Sequence, residues 1–342
     1  MQHPQIPRPS RRAVLATGGA AALGTFLGAC GGDGGSEPSG GAGGWTWTDD
    51  RGQKISLKAR PRRIVAYVGA AAALYDYGVD RQIVGVYGPT RLKDGRPDPQ
   101  AGDLPVAGRT VIGNAYGEFN LEKYAGLRPE LLIDNMFMAG QLFYVPAESK
   151  DKIFALAPGL GVSTGAVALP KPVERYAALA ASLGADLNAP KAVQAKARFE
   201  KAAETLRAAA TEAAGRGIKV LAASGSPDLF YASNPAKNTD LIYFKELGVP
   251  LIVPNKISKD GYFEELSWEN AGKYPADVII LDSRTQALQP KDLAGKPAWR
   301  DLPAVKAGQV VPWQAEPRFS YAGCAPILED LAKTIRSAKK AG

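Results

Sequence analysis

Aromatic and cationic side chains recur where apolar, strand-like segments of this 342-residue sequence end. Tyr67 closes one such segment, and Arg284 follows the run VIILDS. Aromatic faces and a forked guanidinium suit a bulky, oxygen-rich ligand, so these positions predict a binding pocket. Arg284 has an alternative use, an ion pair with Asp282. The predicted ligand contacts are Tyr67, Tyr87, Arg91, Asn135, Phe137, Tyr231, Arg284, Trp313, Arg318 and Tyr321.

Residues for hydrolytic or metal chemistry are missing from the sequence. Its single histidine, His3, lies in an N-terminal segment that we expect to be removed. The remaining chain therefore has no imidazole for a catalytic triad or for a zinc or manganese site. Ser224 follows a strand-like segment, but G-x-S-x-G and G-x-G-x-x-G are both absent. These features predict a binding protein with no enzymatic activity, no metal ligands and no covalently bound cofactor.

The N-terminus has the layout of an export signal followed by a lipid attachment site. Arg8, Arg11 and Arg12 precede an uncharged Ala/Gly-rich stretch, which predicts a signal peptide over residues 1–29. The arginine pair resembles a twin-arginine signal, and general secretion is the alternative route. Leu27–Cys30 resembles a lipobox, in which Cys30 carries the lipid. Residues 30–44 predict a flexible Gly/Ser tether, so we expect an extracytoplasmic protein anchored to the cell membrane.

One long helix is predicted over residues 188–215. Asn188 is a suitable cap, Pro190 fits a first turn, and Gly217 offers a left-handed stop. Apolar residues recur every three or four positions, including Phe199 and Leu206, and form one stripe. The stripe is short and mostly Ala, so a self-sufficient coiled coil is disfavoured. We expect a strut between two similar halves.

Strand and helix patterns alternate on both sides of this helix. The halves, residues 45–187 and 216–342, share helix–Pro–strand units such as NLEKYAGLRPELLIDN and LSWENAGKYPADVIILDS. Such alternation predicts two Rossmann-like α/β lobes with mostly parallel sheets. Ligands of these sheets bind outside the carboxyl ends of the strands, which predicts a ligand cleft between the lobes.

Composition is that of a globular protein with a modest basic excess. Hydrophobic residues make up 45% and charged residues 22%, and the formal net charge is +8. Without the arginines of residues 1–29 the balance is 39 basic to 34 acidic residues, with no long basic run. These values favour neither a nucleic-acid partner nor several membrane spans.

Several motifs in order resemble class III (cluster A) solute-binding proteins of ABC importers, in the branch that binds ferric siderophores and corrinoids. The resemblance extends from about Asp49 to the C-terminus. Its motifs are DRG at 50–52 with PRRIV at 61–65, NLE at 120–122 with LRPELLI at 127–133, the helix of residues 189–214, and PAW at 297–299 with PAVKAGQV at 303–310.

The resemblance implies two lobes bridged by one rigid helix, limited closure on binding, and delivery of the ligand to an ABC permease by a monomeric protein. An iron(III)–siderophore complex is the expected ligand, with cobalamin or haem as alternatives. A non-transport adhesive or signalling lipoprotein is the alternative of a different class. Family members offer one acid per lobe to the permease. Asp240 fits the second-lobe position, whereas Ala72 occupies the first-lobe position and leaves Asp76 as the substitute.

Overall fold

A computed structural model describes residues 44–342 of the chain. The predicted signal peptide, Cys30 and nearly all of the tether lie outside the described residues. The described part begins with β1 (Trp45–Thr48) and β2 (Lys54–Leu57), which pair antiparallel as a hairpin. Within residues 44–342, no helix has the length and apolar character needed to cross a membrane.

The first lobe is a five-stranded parallel sheet of order β5-β4-β3-β6-β7. Its central strands are wholly apolar or buried because helices cover both faces of a parallel sheet. Two short 3-10 helices, Pro99–Ala101 and Val106–Gly108, lie in the loop before β5. The elements are β3 (Ile64–Tyr67), α1 (Val68–Asp76), β4 (Ile83–Tyr87), β5 (Thr110–Val111), α2 (Leu121–Gly126), β6 (Leu131–Met136), α3 (Lys150–Leu156), β7 (Gly159–Ser163) and α4 (Pro170–Ser182).

The long helix α5 (Pro190–Gly215) has 26 residues and buries the predicted stripe, including Phe199 and Leu206. At 1.5 Å per residue it is about 39 Å long. Gly217, at a φ of 68°, stops the helix as predicted. The predicted cap is wrong: Ala189 is the residue before the first turn, and Asn188 makes no capping bond. Pro190, which has no N–H, already removes one of the donors that a cap would satisfy.

The second lobe is a mixed sheet of order β10-β9-β8-β11-β12, in which β8, β11 and β12 are parallel and β9 and β10 antiparallel. Its elements are β8 (Val220–Gly225), β9 (Leu229–Ser233), α6 (Thr239–Glu246), β10 (Phe263–Ser267), a 3-10 helix (Trp268–Lys273), β11 (Val278–Asp282), α7 (Pro290–Leu293), α8 (Pro297–Arg300), α9 (Pro303–Lys306), β12 (Val310–Trp313) and α10 (Tyr321–Ser337).

The apolar segment LIV at residues 251–253 has the pattern of a short strand but makes only one bridge, between Leu251 and Val220. The chain turns back directly after β8, and β9 pairs with Ala223–Gly225 along the same edge. Only the start of that edge is left for Leu251. Sequence periodicity reports that a segment is apolar, but not which of two segments reaches the strand edge.

The C-terminal helix returns to the strut and fastens the fold. Arg198 on α5 pairs with Glu329 on α10 at 2.6 Å, and the rings of Phe199 and Tyr321 lie 5.5 Å apart. The structure thus confirms two α/β lobes with mostly parallel sheets, linked by one long helix.

Candidate ligand-binding site

The carboxyl ends of the two sheets face one another, and Glu316 lies at their meeting point. This residue follows β12 in the second lobe. Its Oε2 accepts hydrogen bonds from Tyr67 Oη at 2.9 Å, Tyr144 Oη at 2.9 Å and Gln100 Nε2 at 3.1 Å, all from the first lobe. The carboxylate therefore links the lobes across the cleft.

The other oxygen of Glu316 accepts from Arg284, which follows β11. Arg284 also forms an ion pair with Asp282, with Nη2 2.7 Å from Oδ2, and Ser224 donates to the same carboxylate at 2.9 Å. Burial by itself would lower the pKa of Arg284. The Glu316 and Asp282 carboxylates outweigh this effect and hold the pKa above its usual value. Arg284 is therefore a permanently charged, fully paired cation.

An aromatic wall forms the first-lobe side of the cleft. The rings of Tyr67 and Tyr144 stack with centroids 4.2 Å apart, and Tyr116, 62% exposed, lies 5.8 Å from Tyr144. Phe143 lies 5.1 Å from Tyr116. Gly88 makes the stack possible, because a Cβ there would lie 2.9 Å from the ring of Tyr67. Burial raises the pKa of Tyr67, so its hydroxyl stays protonated and remains a donor.

A small cavity of about 20 Å³, with room for about one water molecule, adjoins this cluster between the lobes. Further bonds cross the cleft around it: Thr285 donates to Asp98 at 3.0 Å, and Tyr262 donates to the carbonyl of Phe137. The lining residues come from both lobes and are Asp98, Pro99, Gln100, Ser283, Arg284, Gln314, Glu316 and Arg318.

Five predicted ligand contacts lie in or beside this region. Tyr67, Arg284 and Arg318 surround the cavity and the Glu316 cluster. Phe137 is half-buried and its ring lies 5.3 Å from Phe143. Tyr231 is half-buried on the second lobe, and its ring lies 5.5 Å from that of Phe263.

Three predicted contacts are instead buried inside the lobes, which corrects the expectation. Tyr87 donates to the carbonyl of Ile133 at 3.3 Å, and Asn135 accepts from the hydroxyl of Tyr176. Trp313 donates its indole N–H to Asp240. Strand ends were chosen without knowing on which face of the strand each side chain lies, and these three side chains are enclosed within their own lobes.

The two remaining predicted contacts lie elsewhere. Arg91 lines an open groove on the first lobe and donates to the carbonyl of Gly95 at 3.1 Å. None of the residues lining that groove lines the cavity between the lobes. Tyr321 begins α10 and packs against Phe199 of the strut and Tyr77, the residue after α1.

The two acids expected at a permease surface are buried. Asp76 accepts from Ser320 and from Arg318 at 3.3 Å, and its side chain is 3% exposed. Asp240 is 1% exposed and accepts from Trp313, and burial raises its pKa to about 7. Neither carboxylate reaches the surface, so we do not propose either one as a contact for the permease.

Sequence reasoning missed the centre of the site. Glu316 stands two residues before the selected Arg318, and an acid beside Pro in a polar loop carries no local sign of burial. Gln100 and Asp98 lie in a loop rich in Gly, Pro and charge, which predicts solvent exposure. Tyr116 and Tyr144 also lie in loops. Aromatic residues in a loop that follows a strand end were the one usable signal.

Two α/β lobes, one connecting helix and a cleft at the strand ends define a solute-binding protein. Residues 64–317 match the family model described as Periplasmic binding protein, and the chain belongs to this family. Among curated proteins no match is found.

Solved structures give the same assignment. DesE, a ferric-siderophore receptor protein from Streptomyces coelicolor, is 52% identical over 87% of this chain and 100% of its own, with a TM-score of 0.84. FeuA, the triscatecholate siderophore-binding protein from Bacillus subtilis, is 17% identical over 85% of this chain and 97% of its own, with a TM-score of 0.61. The siderophore-binding protein of the fuscachelin gene cluster of Thermobifida fusca is 22% identical over 81% and 97%, with a TM-score of 0.57. The last two show the fold alone.

Proposed function

We propose that this protein captures an iron(III)–siderophore complex outside the cytoplasm and delivers it to the permease of an ABC importer. The observation that carries the proposal is the 52% identity to a ferric-siderophore receptor over the whole length of that receptor. The family to which the chain belongs consists of binding proteins, and the proposal assigns it no reaction.

The groups around the cleft suit such a ligand. Tyr116 and Phe143 offer flat apolar surfaces to the organic part of the chelate. Tyr67 Oη, Tyr144 Oη and Gln100 Nε2 now donate to Glu316 and can donate to the chelate's oxygen atoms when the lobes part. The iron is cargo held by its own chelator, so the protein needs no metal ligands.

Membrane attachment and permease contact complete the proposal. Cys30 would carry the lipid, and residues 30–44 would give the folded part reach from the membrane surface. The protein acts as a monomer on the outer side of the membrane. Because Asp76 and Asp240 are buried, the permease must contact other surface groups.

Equilibrium dialysis with radioactive iron tests ligand capture. We expect saturable binding of at least one ferric chelate from a set of hydroxamates, catecholates and citrate, at micromolar concentration or below. Haem and cobalamin are titrated in parallel by absorbance. If haem or cobalamin binds and no iron chelate does, that compound replaces the iron(III)–siderophore complex as the proposed ligand. If none of the compounds binds, the proposal is refuted.

Tyr116→Ala locates the site. This exposed ring packs against the rings of Phe143 and Tyr144, and its loss should weaken chelate binding about threefold to tenfold, the worth of an aromatic contact. Leu156→Ala is the matched control. Leu156 is 43% exposed and ends α3 at the amino end of β7, at the opposite edge of the sheet. Equal loss in both variants would place the ligand elsewhere.

A further inference from the structure

Both arginines that line the cavity are already neutralised, although the sequence suggested them as free cations for an anionic ligand. Arg284 is paired with Asp282 and Glu316. Arg318 is paired with Asp103 at 2.9 Å and Asp76 at 3.3 Å. An anionic ligand would meet a free cation only if these pairs separate when the lobes part to admit it.

The Arg284 pairs belong to one lobe. Asp282 ends β11, Arg284 follows it, and Glu316 follows β12, the strand paired with β11. Separation of the lobes breaks the bonds from Tyr67, Tyr144 and Gln100 to Glu316, but it leaves the two carboxylates on Arg284. Opening therefore exposes a neutralised arginine and the second oxygen of Glu316.

The Arg318 pairs are also independent of lobe separation. Its guanidinium lies against Gly102 so closely that a Cβ there would be 2.3 Å from Nη1. The residues that follow are fastened to the first lobe as well: Phe319 stacks on Tyr176, and Ser320 donates to Asp76. Arg318 and both of its carboxylate partners therefore move with the first lobe.

The cleft consequently carries more negative than positive charge. Arg284 and Arg318 are the only cations that line the cavity within the described residues, and Asp98 and Glu316 line it with them. The ion-pair partners of the two arginines add three more carboxylates around it, which are Asp76, Asp103 and Asp282. A polyanionic chelate entering this space meets no unpaired arginine, and like charges at short range in a partly buried site cost binding free energy.

On the basis of the proposed function, we propose that the cleft selects iron(III) chelates without net negative charge, and that Glu316 determines this selection. Every hydrogen-bonding partner of its carboxylate is a donor, three neutral ones on Oε2 and Arg284 on Oε1. Glu316→Gln keeps the shape and an accepting oxygen, removes one negative charge and leaves Arg284 with a single carboxylate partner.

Equilibrium dialysis with three chelates of different charge tests this proposal: ferrioxamine B (cationic), ferrichrome (neutral) and ferric enterobactin (trianionic). The unaltered protein should bind its preferred cationic or neutral chelate at least about tenfold more tightly than the trianionic one. In Glu316→Gln, the ratio of the two dissociation constants should change about tenfold in favour of the trianionic chelate.

Two further variants keep the test decisive. Glu329→Gln removes the same charge from the exposed pair with Arg198 on α10, away from the cavity, and should leave the ratio unchanged. Asp103→Asn removes a carboxylate that is 76% exposed, so the fold tolerates the change. It should shift the ratio of chelate affinities in the direction expected for Glu316→Gln. Asp103→Asn therefore tests the proposal if Glu316→Gln does not fold.

Preference of the unaltered protein for the trianionic chelate would overturn the proposal. Equal changes of the affinity ratio in Glu316→Gln and Glu329→Gln would also overturn it, as would an unchanged ratio in Asp103→Asn. Those outcomes leave iron-chelate capture intact. Binding of none of the three chelates, nor of any other in the wider set, refutes the proposed function itself.

Discussion

Asp240 imposes a pH-dependent cost on the stability of the folded chain. It begins α6, lies buried against Trp313 of β12 and accepts a hydrogen bond from the indole N–H. Burial raises its pKa from 3.8 to about 7, although the bonds from Trp313 and from the backbone N–H of Leu241 act in the opposite direction. The native chain therefore keeps the Asp240 proton at pH values where the unfolded chain has lost it.

The magnitude follows from proton linkage. Stability falls as pH rises from the unfolded pKa towards the native one, and the full cost is present above about pH 7. A difference of about three pKa units corresponds to about 4 kcal/mol, of which about 2 kcal/mol accrues between about pH 5.5 and pH 8. Asp240→Asn removes the titration and keeps an oxygen for Trp313. It loses the bond from Leu241, at a cost of about 1 kcal/mol at every pH.

Urea unfolding at the two pH values, followed by tryptophan fluorescence and circular dichroism, measures this effect. We expect the free energy of unfolding of Asp240→Asn, relative to the unaltered protein, to rise by about 2 kcal/mol from about pH 5.5 to pH 8. Asp301→Asn, in an exposed ion pair with Lys306, should show the same difference at both pH values. A relative stability of Asp240→Asn that does not change with pH would refute the linkage argument.

Four more predictions test other parts of the molecule. Leu206→Ala, in the buried stripe of α5, should lower the free energy of unfolding by about 3 kcal/mol in urea titrations, whereas Glu204→Ala on the exposed face should change it by less than about 0.5 kcal/mol. Cys324 is buried and its thiol pKa is raised by burial, so thiol reagents should modify it slowly in the native chain and quickly in urea. Cys30→Ser should move the protein from the membrane fraction to the soluble fraction and abolish palmitate labelling, with ferric-chelate binding unchanged. Small-angle scattering with and without bound chelate should show little contraction, because the helices α5 and α10 pack together along the strut; a large contraction would contradict a rigid strut.

The local elements of this chain were predictable because each is specified by residues close in sequence. The stripe of α5, the apolar strands β3 and β11, and the stop at Gly217 all follow from periodicity and backbone preference within a few residues. Their alternation was enough to predict two α/β lobes. Edge pairing was less predictable, since β9 displaced Leu251 from most of the β8 edge.

The candidate site was predicted only in its general position. Strand ends selected Tyr67 and Arg284, a nearby loop added Arg318, and the structure brings these three around one cavity and its adjoining cluster. The same rule also selected Tyr87 and Trp313, which are buried in the lobes. A strand end fixes the level of a residue along the sheet, but the face on which its side chain lies depends on what packs there.

By itself, the sequence determined the two lobes and the helix between them, and it predicts a lipoprotein leader outside the described residues. The partners of the charged groups were decided by tertiary structure. Tyr67 and Glu316 are separated by 249 positions in the chain, and they meet only because the carboxyl ends of two sheets face each other. The same arrangement neutralises Arg284 and buries Asp240, and so converts an expected cation site and an expected docking acid into internal contacts. Burial and pairing are properties of the assembled interior, and no local pattern of residue types encodes them.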